Sequence, residues 1–176
     1  MDRTEHNLPG GNWYAIQVRP KSEFATARIL HNKGFEEFVP QYKGKRRWSD
    51  RKVELELPLF PGYIFCRFNP EIRLPIITTA GVVRIVGTGK MPLPIDQREI
   101  EAVLQIMHSR YRAEPHPFLT IGTRIRVEKG PLVGLEGIVS GYKNRQLIFS
   151  VGLVQKSIAV ELDDDAIAVI PSPKVQ

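Results

Sequence analysis

The sequence contains a single cysteine and four histidines, and these low counts exclude several kinds of chemistry. Cys66 cannot form an internal disulfide, and its position in an apolar run favours a buried thiol with no redox role. There is no Cys-x-x-Cys pair, and no two histidines lie four residues apart on a predicted helix. We therefore expect no metal site, no cysteine nucleophile and no cofactor.

The chain also lacks a long hydrophobic run. No segment approaches the roughly 18 apolar residues that a membrane-spanning helix needs. The first twelve residues are polar and do not have the pattern of a signal peptide. We expect a cytoplasmic protein that does not bind membranes.

Two segments come close to a phosphate-binding or metal-binding pattern and then depart from it. A phosphate loop at 87–90 would need a glycine where Arg84 stands and Ser or Thr where Met91 stands, so a tight turn after a strand is the better interpretation. The three aspartates at 163–165 could hold a metal, but an acidic turn that faces solvent is the favoured interpretation. The sequence therefore predicts a binding protein and not an enzyme.

The positive charge of the chain is unevenly distributed. Residues 1–119 hold 18 basic and 13 acidic side chains, a surplus of +5, whereas residues 120–170 hold six of each. A basic surface attracts phosphate, although charge alone does not identify the nucleic acid. We expect nucleic-acid contacts in the first part of the chain and a protein partner for the second part.

The first part of the chain alternates between strand and helix patterns. After a strand at Trp13–Val18, Ser22 can cap a helix that Gly34 ends, and Asp96 can cap a later helix with an apolar stripe. Further strands are predicted at 37–42, 53–57, 63–68 and 82–86, the first two of them joined as a hairpin by a ten-residue connection. Helices on one face of a short antiparallel sheet predict an α+β, ferredoxin-like domain.

The second part of the chain is predicted to be all β. A polar, basic, proline-containing stretch at 109–119 is typical of a linker. Five short strands follow, at 123–128, 136–140, 146–151, 157–162 and 166–169. Five strands in such a short segment predict a small closed barrel, of the SH3-like kind. The predicted boundaries are a first domain at 12–108, the linker at 109–119 and a second domain at 120–170.

The most specific pattern in the second domain is a set of spaced glycines between valines. Gly130-Pro131 predicts a turn, while Gly134 and Gly137 permit a sharp strand reversal that a side chain would obstruct. This pattern resembles the KOW motif of ribosomal and transcription proteins. The residues that carry the resemblance are Val127, Gly130, Pro131, Gly134, Gly137 and Val139.

The first domain resembles the NusG N-terminal (NGN) domain. The likeness rests on Trp13-Tyr14 at the opening of a strand, the segments 59–65 and 81–87, and the helix that begins at Asp96. An NGN domain followed by a KOW domain is the arrangement of the NusG family of transcription elongation factors. The resemblance implies a monomer whose first domain bridges the RNA polymerase clamp across the DNA and suppresses pausing.

The resemblance also implies a hydrophobic depression that grips the clamp helices of the largest polymerase subunit. The strand at 63–68 has apolar residues on both faces, and one face can remain exposed as an interface. The alternative is that Tyr63 and Phe65 belong to the core. By resemblance we place the polymerase-binding residues at Tyr14, Phe60, Tyr63, Phe65 and Ile85.

The basic hairpin connection is the main candidate for nucleic-acid binding, with a solvated charged loop as the alternative. Its cations could contact phosphates, and its tryptophan could stack on an unpaired base. Related factors use the start of the first helix and the segment before Gly81 to touch the displaced, non-template DNA strand, which adds three weaker candidates. The predicted residues are Arg19, Lys21, Lys43, Lys45, Arg46, Arg47, Trp48, Arg51, Lys52 and Arg73.

The partner of the KOW domain is predicted from a segment in which this sequence differs from general NusG factors. General NusG factors carry a Phe-Gly-Arg stretch whose Phe contacts Rho or a ribosomal protein, and here Val154, Gln155 and Lys156 stand in that place. This favours a specialised paralogue of the RfaH or UpxY kind, which antiterminates particular long operons. The alternatives are a housekeeping factor that couples polymerase to Rho or the ribosome, and a ribosome-associated RNA-binding KOW protein. Because each interior glycine costs a helix about 1 kcal/mol, we expect the KOW domain to keep its β structure.

Overall fold

A computed structural model describes residues 11–48, 51–118, 122–139, 146–162 and 167–169. The fold is mixed and mostly stranded, as the sequence predicts. By its contacts the chain divides into two compact units, Met1–Gln41 with Phe60–Ile100 and Tyr42–Leu59 with Glu101–Gln176. The domain boundaries predicted above stay a prediction. No helix among the described residues is long and apolar enough to span a membrane.

The elements follow one another in an order close to the predicted one. The first are β1 (Asn12–Val18), α1 (Glu23–Asn32), β2 (Glu36–Phe38), β3 (Gln41–Trp48), β4 (Arg51–Pro58), β5 (Tyr63–Phe68), a short 3-10 turn (Pro70–Ile72), α2 (Leu74–Ile77), β6 (Val82–Ile85), β7 (Gly87–Thr88), β8 (Met91–Pro92) and α3 (Gln97–His108). They are followed by β9 (Ala113–His116), β10 (Thr123–Val127), β11 (Glu136–Val139), β12 (Gln146–Val151), a 3-10 turn (Gly152–Val154), β13 (Lys156–Glu161) and β14 (Ile167–Val169).

The first unit contains a four-stranded antiparallel sheet with the strand order β2-β5-β1-β6. With α1 between β1 and β2, and α2 between β5 and β6, its elements run in β-α-β-β-α-β order. One face of the sheet packs against the two helices to form the core. That core consists of Tyr14, Ile16, Val18, Ala27, Leu30, Phe35, Ile64, Cys66, Phe68 and Ile76.

Helix α1 begins and ends where the sequence predicts, but its first turn differs in one detail. Ser22 occupies the N-cap position, yet its hydroxyl makes no capping hydrogen bond. At the other end Gly34 has φ +88°, and the N–H groups of Gly34 and Phe35 donate to the carbonyls of His31 and Leu30 at 2.9 and 3.1 Å. Only glycine adopts that φ without strain, so Gly34 ends the helix as predicted.

The hairpin that follows is longer than predicted. The sequence predicts strands at 37–42 and 53–57, whereas the structure gives a short edge strand β2 and then a hairpin of β3 and β4. The segment 43–48 is therefore strand and not loop. Glycine and lysine are depleted in strands, which concealed β3 from the sequence patterns. A Cβ on the buried Gly44 would lie 2.5 Å from Cδ1 of Leu57, so Leu57 packs closely over this glycine.

Helix α3 is capped as predicted, since the Asp96 carboxylate accepts a 2.8 Å hydrogen bond from the Arg98 N–H. Its apolar stripe is buried at Ile100, Val103 and Ile106. The three exposed fractions are each at most 1%. Of the stripe that the spacing predicts, Ile100 and Val103 are in the interior, while Leu104 and Met107 are half-buried.

The second unit contains a six-stranded antiparallel sheet with the order β14-β10-β11-β12-β13-β9. Among the described residues the two edge strands, β14 and β9, do not pair with each other, so the described sheet is open. The sixth strand, β9, lies in the range predicted as a linker and pairs with β13, with Ser157 opposite His116 and Val160 opposite Ala113. Polar composition and Pro115 concealed this strand from the sequence patterns. Proline is tolerated here because β9 is an edge strand of the described sheet, in which only one side of the backbone is hydrogen-bonded.

Two glycines of the KOW-like pattern, Gly130 and Gly134, lie at turns as predicted, whereas Gly137 lies within strand β11 opposite Ile125 and not at a strand reversal. Gly130 and Gly134 both have φ +85°, and the Gly134 N–H donates to the carbonyl of the buried Val127 at 2.8 Å. Gly137 is different, because a Cβ there would lie 2.8 Å from the backbone oxygen of Ile148 on the neighbouring strand. The side chain of Val139 and residues 163–165 lie outside the described residues.

Candidate functional site

Strand β5 alternates between the two faces of the first sheet, as the sequence predicts. Ile64, Cys66 and Phe68 belong to the core on the helix side. Phe65 is opposite Ala15 on β1 and Phe38 on β2, so these three side chains share the other face. Each face of the sheet therefore carries its own apolar surface.

On the face away from α1, four aromatic rings form a continuous row. The Trp13 and Phe38 ring centroids are 5.2 Å apart and nearly perpendicular, Phe38 and Phe65 are also 5.2 Å apart, and Phe60 contacts Phe65 edge-on at 5.3 Å. These separations are typical of stabilising aromatic pairs. We call Trp13, Phe38, Phe65 and Phe60 the aromatic row.

The structure does not bring the five predicted polymerase-binding residues together. Tyr14 is opposite Cys66 and its ring packs against Phe68 at 4.5 Å, inside the core on the helix side. Ile85 is opposite Ile16 and packs against the same core. Phe65 lies on the other face. Tyr14 and Ile85 therefore do not share a face with Phe65, because strand alternation turns both side chains toward α1 and α2.

Two of the remaining three predicted residues are not at the surface. Phe60 and Phe65 are both 0% exposed, so among the described residues their rings do not line an open depression. Tyr63, two residues before Phe65 on the same face, is only half-buried. Of the predicted set, Tyr63 is therefore the residue that presents an aromatic side chain to solvent.

Tyr63 forms the first member of a row that crosses three strands. Gln17 on β1 is opposite both Tyr63 on β5 and Arg84 on β6, so the three side chains share the face away from α1. Gln17 is half-buried, Arg84 is exposed, and the Arg84 Nε donates to the Gln17 Oε1 at 2.8 Å. We call Tyr63, Gln17 and Arg84 the rim. It combines an aromatic ring, an amide and a cation, which is the composition of many protein interfaces.

The turn before Tyr63 is held from two sides. Gly62 has φ +85°, its carbonyl accepts a 2.9 Å hydrogen bond from the Val18 N–H, and its own N–H donates to the Glu23 Oε1 at 2.8 Å. Glu23 is 4% exposed. The sequence gives no sign of a special role for Glu23, because a carboxylate in the first turn of a helix is common whether or not it is buried.

A second polar side chain on α1 holds the turn before β6. Thr26 is 1% exposed, and its hydroxyl donates to the Ala80 carbonyl at 3.2 Å. Thr26 follows Glu23 by three residues, so the two lie on the same side of the helix. The N-terminal turns of α1 therefore anchor the segments that lead into β5 and into β6.

The predicted nucleic-acid-binding residues lie on several different elements where the structure describes them. Arg19 and Lys21 are exposed at the start of α1, and Lys21 has a left-handed φ of 65°. Lys43 and Lys45 are exposed on β3, and the exposed Arg73 donates through Nη1 to the Pro70 carbonyl at 3.3 Å. The side chains of the other five predicted residues, Arg46, Arg47, Trp48, Arg51 and Lys52, lie outside the described residues.

The predicted partner surface of the KOW domain is only partly exposed. Val154 is 4% exposed and so points inward, whereas Gln155 and Lys156 are exposed. Gln155 has φ 48° and ψ 48°, the left-handed conformation that glycine adopts most readily. The backbone here thus suits the glycine of the family's Phe-Gly-Arg stretch, but no exposed aromatic ring stands at position 154.

The Cys66 thiol is buried in the core of the first unit, as predicted. Burial, with smaller contributions from the carboxylates of Glu37 and Glu36, raises the pKa of the Cys66 thiol. Burial also raises the pKa of Glu37, while His31, whose Nδ1 lies 3.5 Å from that carboxylate, acts in the opposite direction. A protonated, buried thiol is a poor nucleophile.

Comparisons with known proteins agree on one family. The family described as "NusG: Transcription termination factor nusG" matches residues 11–104. The chain is 30% identical over 169 residues to the transcription termination/antitermination protein NusG of Campylobacter jejuni, covering 85% of this chain and 92% of that protein. It is 26% identical over 166 residues to the protein of the same name from Helicobacter pylori J99, covering 86% and 94%.

A solved structure shows the same fold. The structure described as "Domain interaction in Thermotoga maritima NusG" matches with a TM-score of 0.58 at 20% identity, covering 92% of this chain and 98% of that one. At that identity the likeness is evidence for the fold alone.

Proposed function

Because the chain belongs to the NusG family of transcription termination and antitermination factors, we propose that it binds transcribing RNA polymerase through the rim of its first unit. The partner is the pair of clamp helices on the largest polymerase subunit. Binding there, with the first unit spanning the DNA, holds the clamp closed and suppresses pausing. The protein acts as a cytoplasmic monomer, and its action requires no bond to be made or broken.

The observation that supports this surface is the half-exposed Tyr63 in line with Gln17 and Arg84. Tyrosine and arginine are enriched among the residues that dominate binding energy at interfaces. The buried aromatic row supports the rim from below, since Phe65 is two residues from Tyr63 on the same strand face. Its rings restrict how far the rim can move and so lower the entropy cost of binding.

Non-template DNA is the proposed second partner of the first unit. Arg19 and Lys21 are exposed at the end of β1, next in the chain to the core residue Val18. Exposed lysine and arginine side chains contact phosphates without reading sequence. The basic residues of the β3 and β4 hairpin, which belongs to the second unit, are proposed to contact the same DNA, and Lys43 and Lys45 on it are exposed.

We further propose that strands β10 to β14 form the KOW domain as a small barrel and that the first unit is the ferredoxin-like NGN domain. The KOW domain binds a ribosomal protein or another factor. Because Val154 points inward, an aromatic contact with Rho at this position is not supported. This favours a specialised antiterminator that acts on particular long operons.

A housekeeping role is the second candidate, and the names of the relatives favour it. Both relatives described above are called termination/antitermination proteins. Binding of the purified full chain to Rho and to ribosomes distinguishes the two roles. Tight binding to Rho supports the housekeeping role, and binding to ribosomes without binding to core polymerase supports a ribosome-associated protein instead.

Replacing Tyr63 by alanine is expected to weaken binding to core RNA polymerase about 10-fold or more, the loss typical of an aromatic residue at the centre of an interface. Phe24 on α1 is the matched control, because it is an aromatic residue with 37% exposure on the helix side of the sheet. Phe24→Ala should change the affinity less than about 2-fold.

The measurement is a binding titration of labelled polymerase with each variant, with the thermal midpoint recorded for each protein. An equal loss for Tyr63→Ala and Phe24→Ala, or no loss for either, would contradict the proposed surface. Wild-type protein that binds no polymerase would contradict the proposed function.

A further inference from the structure

The buried carboxylate of Glu23 is not needed to complete the apolar core. Burial of a carboxylate is costly unless hydrogen bonds compensate for the water that it loses. An apolar side chain of similar length would fill the same space without that cost. The hydrogen bond that Glu23 makes, to the Gly62 N–H at 2.8 Å, therefore points to a role in fixing the turn.

The turn in question leads directly into the rim. The Tyr63 N–H donates to the Phe60 carbonyl at 3.0 Å, which closes a tight turn over residues 60–63. Gly62 lies within this turn. Its N–H donates to the Glu23 carboxylate, and its carbonyl accepts from the Val18 N–H. With the peptide of Gly62 fixed, the direction in which the next residue leaves the turn is fixed as well.

The same helix acts on the other end of the rim. The Thr26 hydroxyl donates a hydrogen bond to the Ala80 carbonyl. Gly81 follows Ala80 and precedes β6, the strand that carries Arg84. The Gly81 carbonyl accepts a 2.8 Å hydrogen bond from the Arg19 N–H at the end of β1. Both outer strands of the rim are therefore anchored to one helix turn, whose two anchoring side chains are buried.

We infer that Glu23 is a positioning residue for polymerase binding: its carboxylate holds the Phe60 to Tyr63 turn through the Gly62 N–H and so orients the Tyr63 side chain toward the partner. The inference rests on the proposed function. It adds a residue that does not itself contact polymerase, on the face of the sheet opposite the rim.

Three substitutions at Glu23 separate this role from packing. Glu23→Gln keeps an oxygen that can accept the hydrogen bond, and its affinity for core polymerase should stay within about 2-fold of wild type. Glu23→Met fills the same space without an acceptor, and the affinity should fall about 10-fold, the equivalent of one hydrogen bond at the upper end of its usual range. Glu23→Asp moves the acceptor back by one methylene and should resemble Glu23→Met.

The decisive measurement is the double variant Glu23→Met with Tyr63→Ala. If Glu23 acts through Tyr63, the double variant binds polymerase no more weakly than Tyr63→Ala alone, because the two substitutions remove one shared interaction. An additional 10-fold loss in the double variant overturns the inference, as does wild-type affinity for Glu23→Met. If Glu23→Met does not fold, Glu23→Asp is judged by the same two criteria.

Failure of the inference and failure of the proposed function give different results. Wild-type protein that binds polymerase together with an unaffected Glu23→Met contradicts the positioning role alone. Wild-type protein that does not bind polymerase contradicts the proposed function, and the positioning role with it.

Discussion

Replacing Gly137 by alanine is expected to destabilise the protein by about 2 to 3 kcal/mol, the upper part of the range for an overpacked site. A Cβ at this position would lie 2.5 Å from Cδ1 of Leu147 and 2.8 Å from the backbone oxygen of Ile148. The leucine side chain can rotate away, but the backbone oxygen cannot. Strand β11 lies between β10 and β12, so it cannot shift without breaking one of its two ladders.

Gly134→Ala is the control for Gly137→Ala. Gly134 has φ +85° but open space around its Cβ position, so alanine there costs about 1 to 2 kcal/mol of backbone strain and makes no clash. Chemical unfolding of the full chain, followed by a probe of β structure, measures both variants. A smaller loss for Gly137→Ala than for Gly134→Ala would show that the sheet does not have the described register.

Replacing Gly81 by alanine is also expected to destabilise the protein by about 2 to 3 kcal/mol. Two causes add at this position. Gly81 has φ +91°, and a Cβ would lie 2.1 Å from the Thr26 hydroxyl oxygen. That hydroxyl is held by its hydrogen bond to Ala80, so it cannot move away without losing the bond.

A double-mutant cycle separates the two causes. Thr26→Ala alone should cost about 1 kcal/mol for the lost hydrogen bond. In a Thr26→Ala background the clash is removed and only the backbone strain remains, so Gly81→Ala should cost about 1 kcal/mol less than in wild type. Strict additivity of the two substitutions would mean that Thr26 does not face Gly81 as the structure places it.

Sequence patterns predicted the features of this fold that depend on local chemistry. The strand at 63–68 and the strand at 146–151 lie where the alternation of side chains placed them. Gly34 ends α1, and Gly130 and Gly134 form turns, because a positive φ is nearly exclusive to glycine. These features were predictable because a short stretch of chain determines each of them.

The features that were missed depend on which distant segments pair. Whether Tyr14 faces the helices or the rim depends on the register of β1 with β5, and a shift of one residue would reverse the answer. Strand β9 forms because its backbone pairs with β13, and the composition of 113–116 does not indicate this pairing. The hydrogen bond between Glu23 and Gly62 joins residues that are 39 positions apart, so the sequence around either residue does not predict it.

The central claim is that polymerase docks on the face of the first sheet that carries Tyr63. The most direct measurement places a photoreactive amino acid at position 63 of the full chain, and at position 24 for comparison, and illuminates each protein in a complex with transcribing polymerase. We expect a crosslink from position 63 to the clamp helices of the largest subunit and none from position 24. A crosslink to those helices from position 24 alone would contradict docking on this face.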